Sequence, residues 1–142
     1  MTAHPAPIRV LIVDDEVSFG QVLVKRMAKR GIDSVAVQSG REAVRLLRFQ
    51  VFDVALLDLK MEQMDGLEAL RIFQVLAPEM KVVILTGHGG QQEAQEAIRL
   101  GASDYLLKPC ELETIVEAIR SVLGSQPPPE VLPQSPGDPR GP

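Results

Sequence analysis

Polar side chains that could act on a phosphate group or a cation directly follow four apolar segments of this 142-residue chain. In chain order they are Asp14 and Asp15 after residues 8–13, Asp58 after 54–57, Thr86 after 82–85, and Lys108 after 105–107. Polar residues commonly follow strands, and any one of these alone would be an ordinary loop residue. Three carboxylates, a hydroxyl and an ammonium in equivalent positions together indicate a site.

The central apolar segment is Val54-Ala55-Leu56-Leu57, which has no polar residue at any position. Such a run is typical of a strand that is buried on both faces of a parallel sheet. Asp58 would then lie at the carboxyl end of this strand, where open α/β sheets bind their ligands.

Strands and helical patterns alternate throughout residues 8–124, which we expect to form one domain. The remaining strand is predicted at Asp33–Val37, and apolar residues recur at helical spacing after each strand. Five strands alternating with five helices predict a doubly wound α/β fold, in which right-handed crossovers cover both faces of a parallel sheet.

Several residues predict where individual helices begin and end. Ser39 and Glu42 have the spacing of a capping box, in which each side chain bonds the other's backbone amide at the start of the second helix. Gly31 is placed to end the first helix in a left-handed conformation, and Gly101 is predicted to end the fourth helix.

The fourth helix, at residues 91–100, shows only Ala94, Ala97 and Ile98 as an inner face. A helix with so narrow an apolar stripe has little surface to bury. We therefore expect it to be the most weakly anchored of the five.

Both ends of the chain differ in composition from the domain between them. Residues 1–7 contain two prolines and are predicted to be a loose lead-in. Residues 125–142 contain seven prolines, few apolar side chains and no periodicity, which is typical of a disordered or partly polyproline II segment. This tail is either a terminus or a linker to an output domain.

Composition and charge argue against several classes of protein. The formal charge of -4, without a Lys/Arg-rich run, argues against nucleic acid as a direct partner. No apolar run approaches the roughly 20 residues that span a bilayer. The chain start also lacks the features of a signal peptide, so we expect no membrane partner and a cytoplasmic location.

Cys110 is the single cysteine, which excludes an internal disulfide. It lies close to a predicted helix start, where a thiol can be reactive. The neighbouring Glu111 and Glu113 would raise the pKa of the thiol, so we predict an inert side chain.

The three carboxylates have the chemistry of a magnesium site. Clustered carboxylates repel one another unless a cation is bound between them, and ligand sets made of oxygen alone favour a hard ion such as Mg²⁺. Asp14, Asp15 and Asp58 meet this requirement. One cysteine in the chain and one histidine near the cluster argue against zinc.

A carboxylate beside Mg²⁺ can also be a nucleophile toward phosphorus, which gives an aspartyl phosphate. The Lys108 ammonium and the Thr86 hydroxyl would neutralise or bond the oxygens of the transferring group. The chain has no GxxxxGK[ST] loop, so ATP is not the obvious donor. The phosphoryl group must come from elsewhere.

In this order and spacing the residues resemble the receiver domains of two-component response regulators. The resemblance covers about residues 8–123 and rests on these motifs: Val13-Asp14-Asp15, Leu57-Asp58-Leu59-Lys60-Met61, Asp65-Gly66, Leu85-Thr86-Gly87 and Gly101-Ala102-Ser103-Asp104-Tyr105-Leu106-Leu107-Lys108-Pro109. It implies a flavodoxin-like fold with strand order 2-1-3-4-5.

The resemblance also implies a role for each acidic residue. Asp58 would be the phosphoacceptor. Asp14 and Asp15 would be the metal-binding pair, and the backbone carbonyl of Lys60 would complete the metal shell.

A second group of residues would carry the switch. Thr86 resembles the switch hydroxyl, Lys108 the phosphate-binding lysine, and Tyr105 an aromatic side chain that rotates. The bond between Lys108 and Pro109 would be a cis peptide.

The partners implied are a sensor histidine kinase or a phosphotransfer protein as donor. A second copy or a downstream protein would bind the face formed by the fourth helix, fifth strand and fifth helix. We expect a phosphoacceptor switch rather than an enzyme, with at most slow autodephosphorylation.

Two positions depart from the family pattern. Glu62 stands where proline commonly follows the methionine, and Cys110 stands where phenylalanine often follows Lys-Pro. Neither group does chemistry, so the departures concern loop rigidity and local packing. His88, two residues after Thr86, is read as a solvated loop residue, the alternative being a role in tuning phosphoryl hydrolysis.

Two other functions remain open at this point. A Mg²⁺-dependent phosphohydrolase of the haloacid dehalogenase type would usually carry a second aspartate two residues after its nucleophile, where this chain has Lys60. A receiver-like module that binds partners without being phosphorylated would be expected to lack an acidic residue or the lysine, and none is lost.

Overall fold

The structure is a computed structural model that describes residues 6–62, 64–87 and 91–124. Within these ranges strands and helices alternate as the sequence predicts. The strands are β1 (Arg9–Val13), β2 (Asp33–Val37), β3 (Val54–Leu57), β4 (Lys81–Thr86) and β5 (Asp104–Leu107). The helices are α1 (Val17–Ala28), α2 (Gly40–Leu47), α3 (Gly66–Leu76), α4 (Gln91–Arg99) and α5 (Leu112–Gly124). The lead-in up to residue 5, His88 and the proline-rich tail lie outside the described residues.

All neighbouring strands are parallel, and the sheet order is β2-β1-β3-β4-β5. This confirms the doubly wound, flavodoxin-like α/β class. Val13 lies opposite both Val37 and Leu57, and Leu57 lies opposite Ile84. The carboxyl ends of β1, β3 and β4 therefore meet at one edge of the sheet.

The strand side chains alternate between two apolar cores, one on each face of the sheet. Leu11 and Val13 pack with α2 and α3, whereas Val10 and Ile12 pack with α1 and α5. All four residues of β3 are buried. This is why the central strand has no polar position in the sequence.

Gly31 and Gly101 both have positive φ angles, of 75° and 117°. After α1, the Gly31 amide donates to the Ala28 carbonyl and the Ile32 amide donates to the Met27 carbonyl. The same pair of bonds follows α4 at Gly101 and Ala102. These are Schellman-type ends, so both glycines act as the sequence predicts.

The start of α2 differs in one detail from the predicted capping box. The Ser39 hydroxyl accepts from the Glu42 amide at 3.1 Å, as expected. The Glu42 carboxylate accepts from the amide of Gln38 at 2.9 Å, not from that of Ser39. The carboxylate reaches one residue further because the chain enters the helix from β2 with the Gln38 amide turned toward it.

Helix α4 has only Ala97 as a fully buried residue, which agrees with the narrow apolar stripe in the sequence. The prediction that Ile98 belongs to its inner face is wrong, because this side chain is 47% exposed. Ala94 is partly buried, so the apolar inner face of this helix consists of small side chains. No helix in the described ranges is long and apolar enough to cross a bilayer.

Candidate phosphoacceptor and metal site

Asp58 is the first residue after β3, and its amide donates to the Val13 carbonyl of the neighbouring strand at 3.0 Å. The side chain is only 4% exposed. Its Oδ1 accepts from the Thr86 hydroxyl at 2.6 Å and from the Lys60 amide at 3.2 Å. The carboxylate is thus oriented both by its own turn and by the last residue of β4.

Asp14 follows β1 and is equally buried. Its Oδ1 accepts from the Glu16 amide at 2.9 Å, and its Oδ2 lies 2.6 Å from Nζ of Lys108. The lysine is also 3.7 Å from Glu16 Oε1, and it lies over the Phe19 ring at 4.1 Å from the centroid. The ammonium is therefore held on the Asp14 side of the pocket.

One carboxylate oxygen from each of Asp14, Asp15 and Asp58 lies within 4.8 Å of the other two. Two of these side chains are buried and Asp15 is exposed. The donors are oxygen atoms only, which suits a hard cation, and the exposed side leaves access for water ligands. The residues present therefore fit the Mg²⁺ that the sequence predicts.

The pKa of Asp58 is raised from its ordinary value, chiefly because burial disfavours the charged form. Hydrogen bonds from Thr86 and the Lys60 amide oppose this effect and favour the carboxylate. The nearby Asp14 charge raises the pKa, and Lys108 lowers it. Cation binding would remove the repulsion between the two buried carboxylates.

Thr86 is completely buried and already donates to Asp58. The hydroxyl and the carboxylate are therefore already in contact, with both side chains buried. Tyr105 is partly buried, and its hydroxyl oxygen is enclosed without a hydrogen-bond partner among the described residues. Burial and the Glu93 charge raise the pKa of Tyr105.

The Lys108–Pro109 peptide bond is cis. It joins β5 to the start of α5 next to Cys110. Burial raises the pKa of the Cys110 thiol, while the Lys108 charge lowers it. The predicted rise in the pKa of this thiol is confirmed, but its cause is burial rather than the charges of Glu111 and Glu113.

Three features of the site are not evident in the sequence motifs. The Lys60 ammonium pairs with Glu93 of α4 at 3.2 Å, which links the turn after β3 to that helix. Phe19 packs beneath the Lys108 ammonium, although the sequence shows it only as an apolar position of α1. Gly66 donates its amide to the Leu59 carbonyl at 2.9 Å and lies against the Asp58 main chain. In the sequence, the Asp65-Gly66 pair is the one indication that the start of α3 lies so close to the Asp58 main chain.

The domain is a flavodoxin-like α/β fold with a carboxylate cluster, a hydroxyl and a lysine at the carboxyl edge of its sheet. This combination is typical of proteins that bind phosphate groups and cations. Residues 10–120 match the family model of the response regulator receiver domain. The chain belongs to this family, whose members are the signalling switches of two-component systems.

One similar relative is the transcriptional regulatory protein ZraR of Escherichia coli K12, which is 34% identical over 116 residues. The match covers 82% of this chain and 26% of that protein, so the chain spans about a quarter of the length of this relative.

Two solved structures show the same fold. The CheY-like receiver domain protein from Methanospirillum hungatei has a TM-score of 0.79 at 26% identity, over 82% of this chain and 94% of that one. A response regulator from Burkholderia pseudomallei, solved with a phosphorylated aspartic acid, a calcium ion and citrate, has a TM-score of 0.75 at 28% identity. That match covers 79% of this chain and 66% of the other.

Proposed function

We propose that this receiver domain is a switch that accepts a phosphoryl group on Asp58. The observation that carries the proposal is the placement of this buried carboxylate. It accepts from the Thr86 hydroxyl at 2.6 Å, and one of its oxygens lies within 4.8 Å of an oxygen of Asp14 and of one of Asp15. Among the described residues, no other group of three acidic side chains, histidines or cysteines is as compact.

The donor is a phosphohistidine of a sensor kinase or a phosphotransfer protein. One Asp58 oxygen forms a bond to phosphorus while the bond from phosphorus to the imidazole nitrogen breaks. The imidazole leaves with the electron pair and takes up a proton. The Thr86 hydroxyl and the Lys108 ammonium then donate to phosphoryl oxygens, which carry the negative charge.

Asp14, Asp15 and Asp58 would hold Mg²⁺, with the Lys60 backbone carbonyl as a further ligand. When bound, this ion neutralises charge on the phosphoryl oxygens and on the clustered carboxylates. Lys108 is kept beside Asp14 by the 2.6 Å ion pair, so it is available to a phosphoryl oxygen on the neighbouring Asp58.

Intact-mass measurement after incubation with acetyl phosphate and Mg²⁺ tests the assignment. We expect one phosphoryl adduct on the wild type and none on Asp58→Asn, because the amide keeps the shape but lacks the anionic nucleophile. Asp33→Asn, which changes an exposed carboxylate at the start of β2, is the matched control and should be labelled normally. A full adduct on Asp58→Asn would refute the role of this residue.

Intact-mass measurement together with an assay of phosphate-monoester hydrolysis separates the alternative functions. Rapid multiple-turnover hydrolysis of phosphate monoesters by the wild type would favour a phosphohydrolase. In that case an acid/base would be needed two residues after Asp58, where Lys60 instead pairs with Glu93. Neither an adduct nor turnover would favour a binding module that is not phosphorylated.

The switch would act through Thr86, Tyr105 and the face formed by α4, β5 and α5. Turning the Thr86 hydroxyl toward a phosphoryl oxygen would alter the space next to Tyr105, and the weakly anchored α4 would move. Amide exchange with and without beryllium fluoride, a phosphoryl mimic, should differ over residues 86–105 and stay unchanged in α2. Unchanged exchange over residues 86–105 would argue against this switch.

This α4–β5–α5 face would bind a second copy or a downstream protein. Its exposed apolar residues are Ile98 and Leu107. Several points stay predictions. They are the cytoplasmic location, the boundaries of the lead-in and tail, and the absence of nucleic acid and membrane partners.

A further inference from the structure

A groove runs between the outer sides of α2 and α3, away from the carboxylate site. It is a shallow, open concavity of about 460 Å³ that is lined by Val44, Arg48, Arg71, Ile72, Val75 and Leu76. Val75 is 80% exposed and Leu76 38%. None of the residues assigned to phosphoryl transfer or to the switch lines this groove.

The apolar surface continues beyond the end of α2. Val51 is 80% exposed, and it lines an adjoining concavity together with Leu76. Phe49, two residues earlier, is 83% exposed. Single exposed apolar residues are normal on a protein surface, but a connected group of them marks an interaction site.

The two charged side chains that line the groove itself are both positive, whereas Asp53 and Glu79 line the adjoining concavity. Arg48 and Arg71 line the groove, and Arg41 and Arg45 lie on the same side of α2 at helical spacing. None of the four forms an ion pair within the described part of the chain. This is notable in a protein with a net charge of -4, in which other arginines, such as Arg9, are paired.

We infer that this groove is the docking site of an acidic amphipathic helix from a partner protein. Apolar anchors at helical spacing would fill the space between Val44 and Val75. Flanking carboxylates would pair with Arg48 and Arg71, whose planar guanidinium groups suit bidentate bonds to carboxylates. An amphipathic helix in an apolar groove is a recurring mode of recognition.

A second copy of this chain does not fit the groove in the same way. In a two-fold symmetric contact the same surface faces itself. Arg48 and Arg71 would then meet arginines, since no carboxylate lines the groove. The positive charge therefore favours an acidic partner over a second copy of the chain. In this respect the groove differs from the α4–β5–α5 face.

The test uses the full chain labelled with ¹⁵N and two synthetic helical peptides as probes. Both peptides carry leucines at i, i+3, i+4 and i+7, and they differ only in having glutamate or lysine at the remaining positions. We expect the acidic peptide to shift the amide resonances of α2 and α3, including Val44 and Val75. The basic peptide should leave these resonances unchanged.

Charge reversal at Arg48→Glu and Arg71→Glu together should weaken binding of the acidic peptide about tenfold, because two attractive pairs become repulsive. Val75→Ser should also weaken it, without any change in charge. The matched control is Lys25→Glu with Lys29→Glu on α1, which changes the net charge equally at exposed positions and should not alter affinity. All of these positions are exposed, so the variants are expected to fold.

Four results would overturn the inference. Equal binding of both peptides would remove the role of charge, and undiminished binding to the groove variants would place the contact elsewhere. The chain could instead co-sediment with vesicles of phosphatidylcholine and phosphatidylglycerol, in a manner that depends on Arg48 and Arg71, and bind neither peptide. The partner would then be a membrane. The double substitution Val131→Ser and Leu132→Ser would be measured without peptide. If it shifted the amide resonances of α2 and α3, the groove would be the binding site of the tail.

Discussion

Lys108 pairs with one of the two buried carboxylates of the cluster. Its side chain is 17% exposed, and its ammonium lies 2.6 Å from Asp14, which is itself buried. Breaking such a pair by removing one partner leaves an uncompensated charge away from water. The lysine thus has a structural role in the unphosphorylated protein as well as its proposed role toward the phosphoryl group.

We expect Lys108→Met to lower the free energy of unfolding by about 3 kcal/mol in the presence of chelator. The matched control is Lys60→Met. It breaks the partly exposed pair with Glu93, which should cost less than about 1 kcal/mol. Urea denaturation of both variants measures the difference. A loss for Lys108→Met no larger than that for Lys60→Met would contradict the importance of the buried pair.

Helix α3 begins directly against the turn that carries Asp58. Its first residue is Gly66, and the Asp65 side chain accepts from the Glu68 amide at 3.1 Å. A Cβ atom at Gly66 would come within 2.5 Å of the Asp58 carbonyl oxygen, and closer still to the Leu59 Cα. The position of the turn that carries Asp58 therefore depends on the absence of a side chain at the start of the helix.

Gly66→Ala is expected to destabilise the fold by about 1–3 kcal/mol, because backbone atoms cannot move aside as a flexible side chain can. It should also shift the amide resonances of residues 58–60. Gly124→Ala at the end of α5 is the control, since a Cβ there would meet nothing within 4 Å. Denaturant unfolding compares the two variants, and equal stability would show that the turn can relax.

At the scale of the whole molecule, the parallel sheet assembles one site from four strands that are far apart in the chain. Asp14 and Lys108 are separated by 94 positions, and Thr86 and Asp58 by 28. The carboxylates concentrated at this edge repel one another in the folded state. A cation that binds the folded chain and not the unfolded one stabilises the whole domain.

Mg²⁺ should therefore raise the midpoint of thermal unfolding. At a concentration about tenfold above its Kd the gain is about 1.4 kcal/mol, which corresponds to a few degrees for a domain of this size. Asp15→Ala should abolish this gain, and because the side chain is exposed the variant is expected to fold. Calorimetry with NaCl at matched ionic strength is the control. The same rise with NaCl, or in Asp15→Ala, would count against a specific site.

The sequence by itself determined the elements, their order and the edge at which the site forms. Strand and helix periodicities are local properties, as is the left-handed conformation at Gly31 and Gly101. Parallel strands place their carboxyl ends together, so Asp14, Asp58 and Thr86 could be predicted as neighbours without coordinates.

Only the tertiary structure decided which atoms meet within that site and which surfaces stay open. The motifs do not reveal that Lys108 pairs with Asp14, that Thr86 already donates to Asp58, or that Lys60 reaches Glu93 on α4. The exposure of Ile98 and the groove between α2 and α3 were equally out of reach. The physical reason is that these features depend on how helices are set against the sheet and on side-chain rotamers. Both are determined by packing between residues distant in the chain, which periodicity along the chain does not encode.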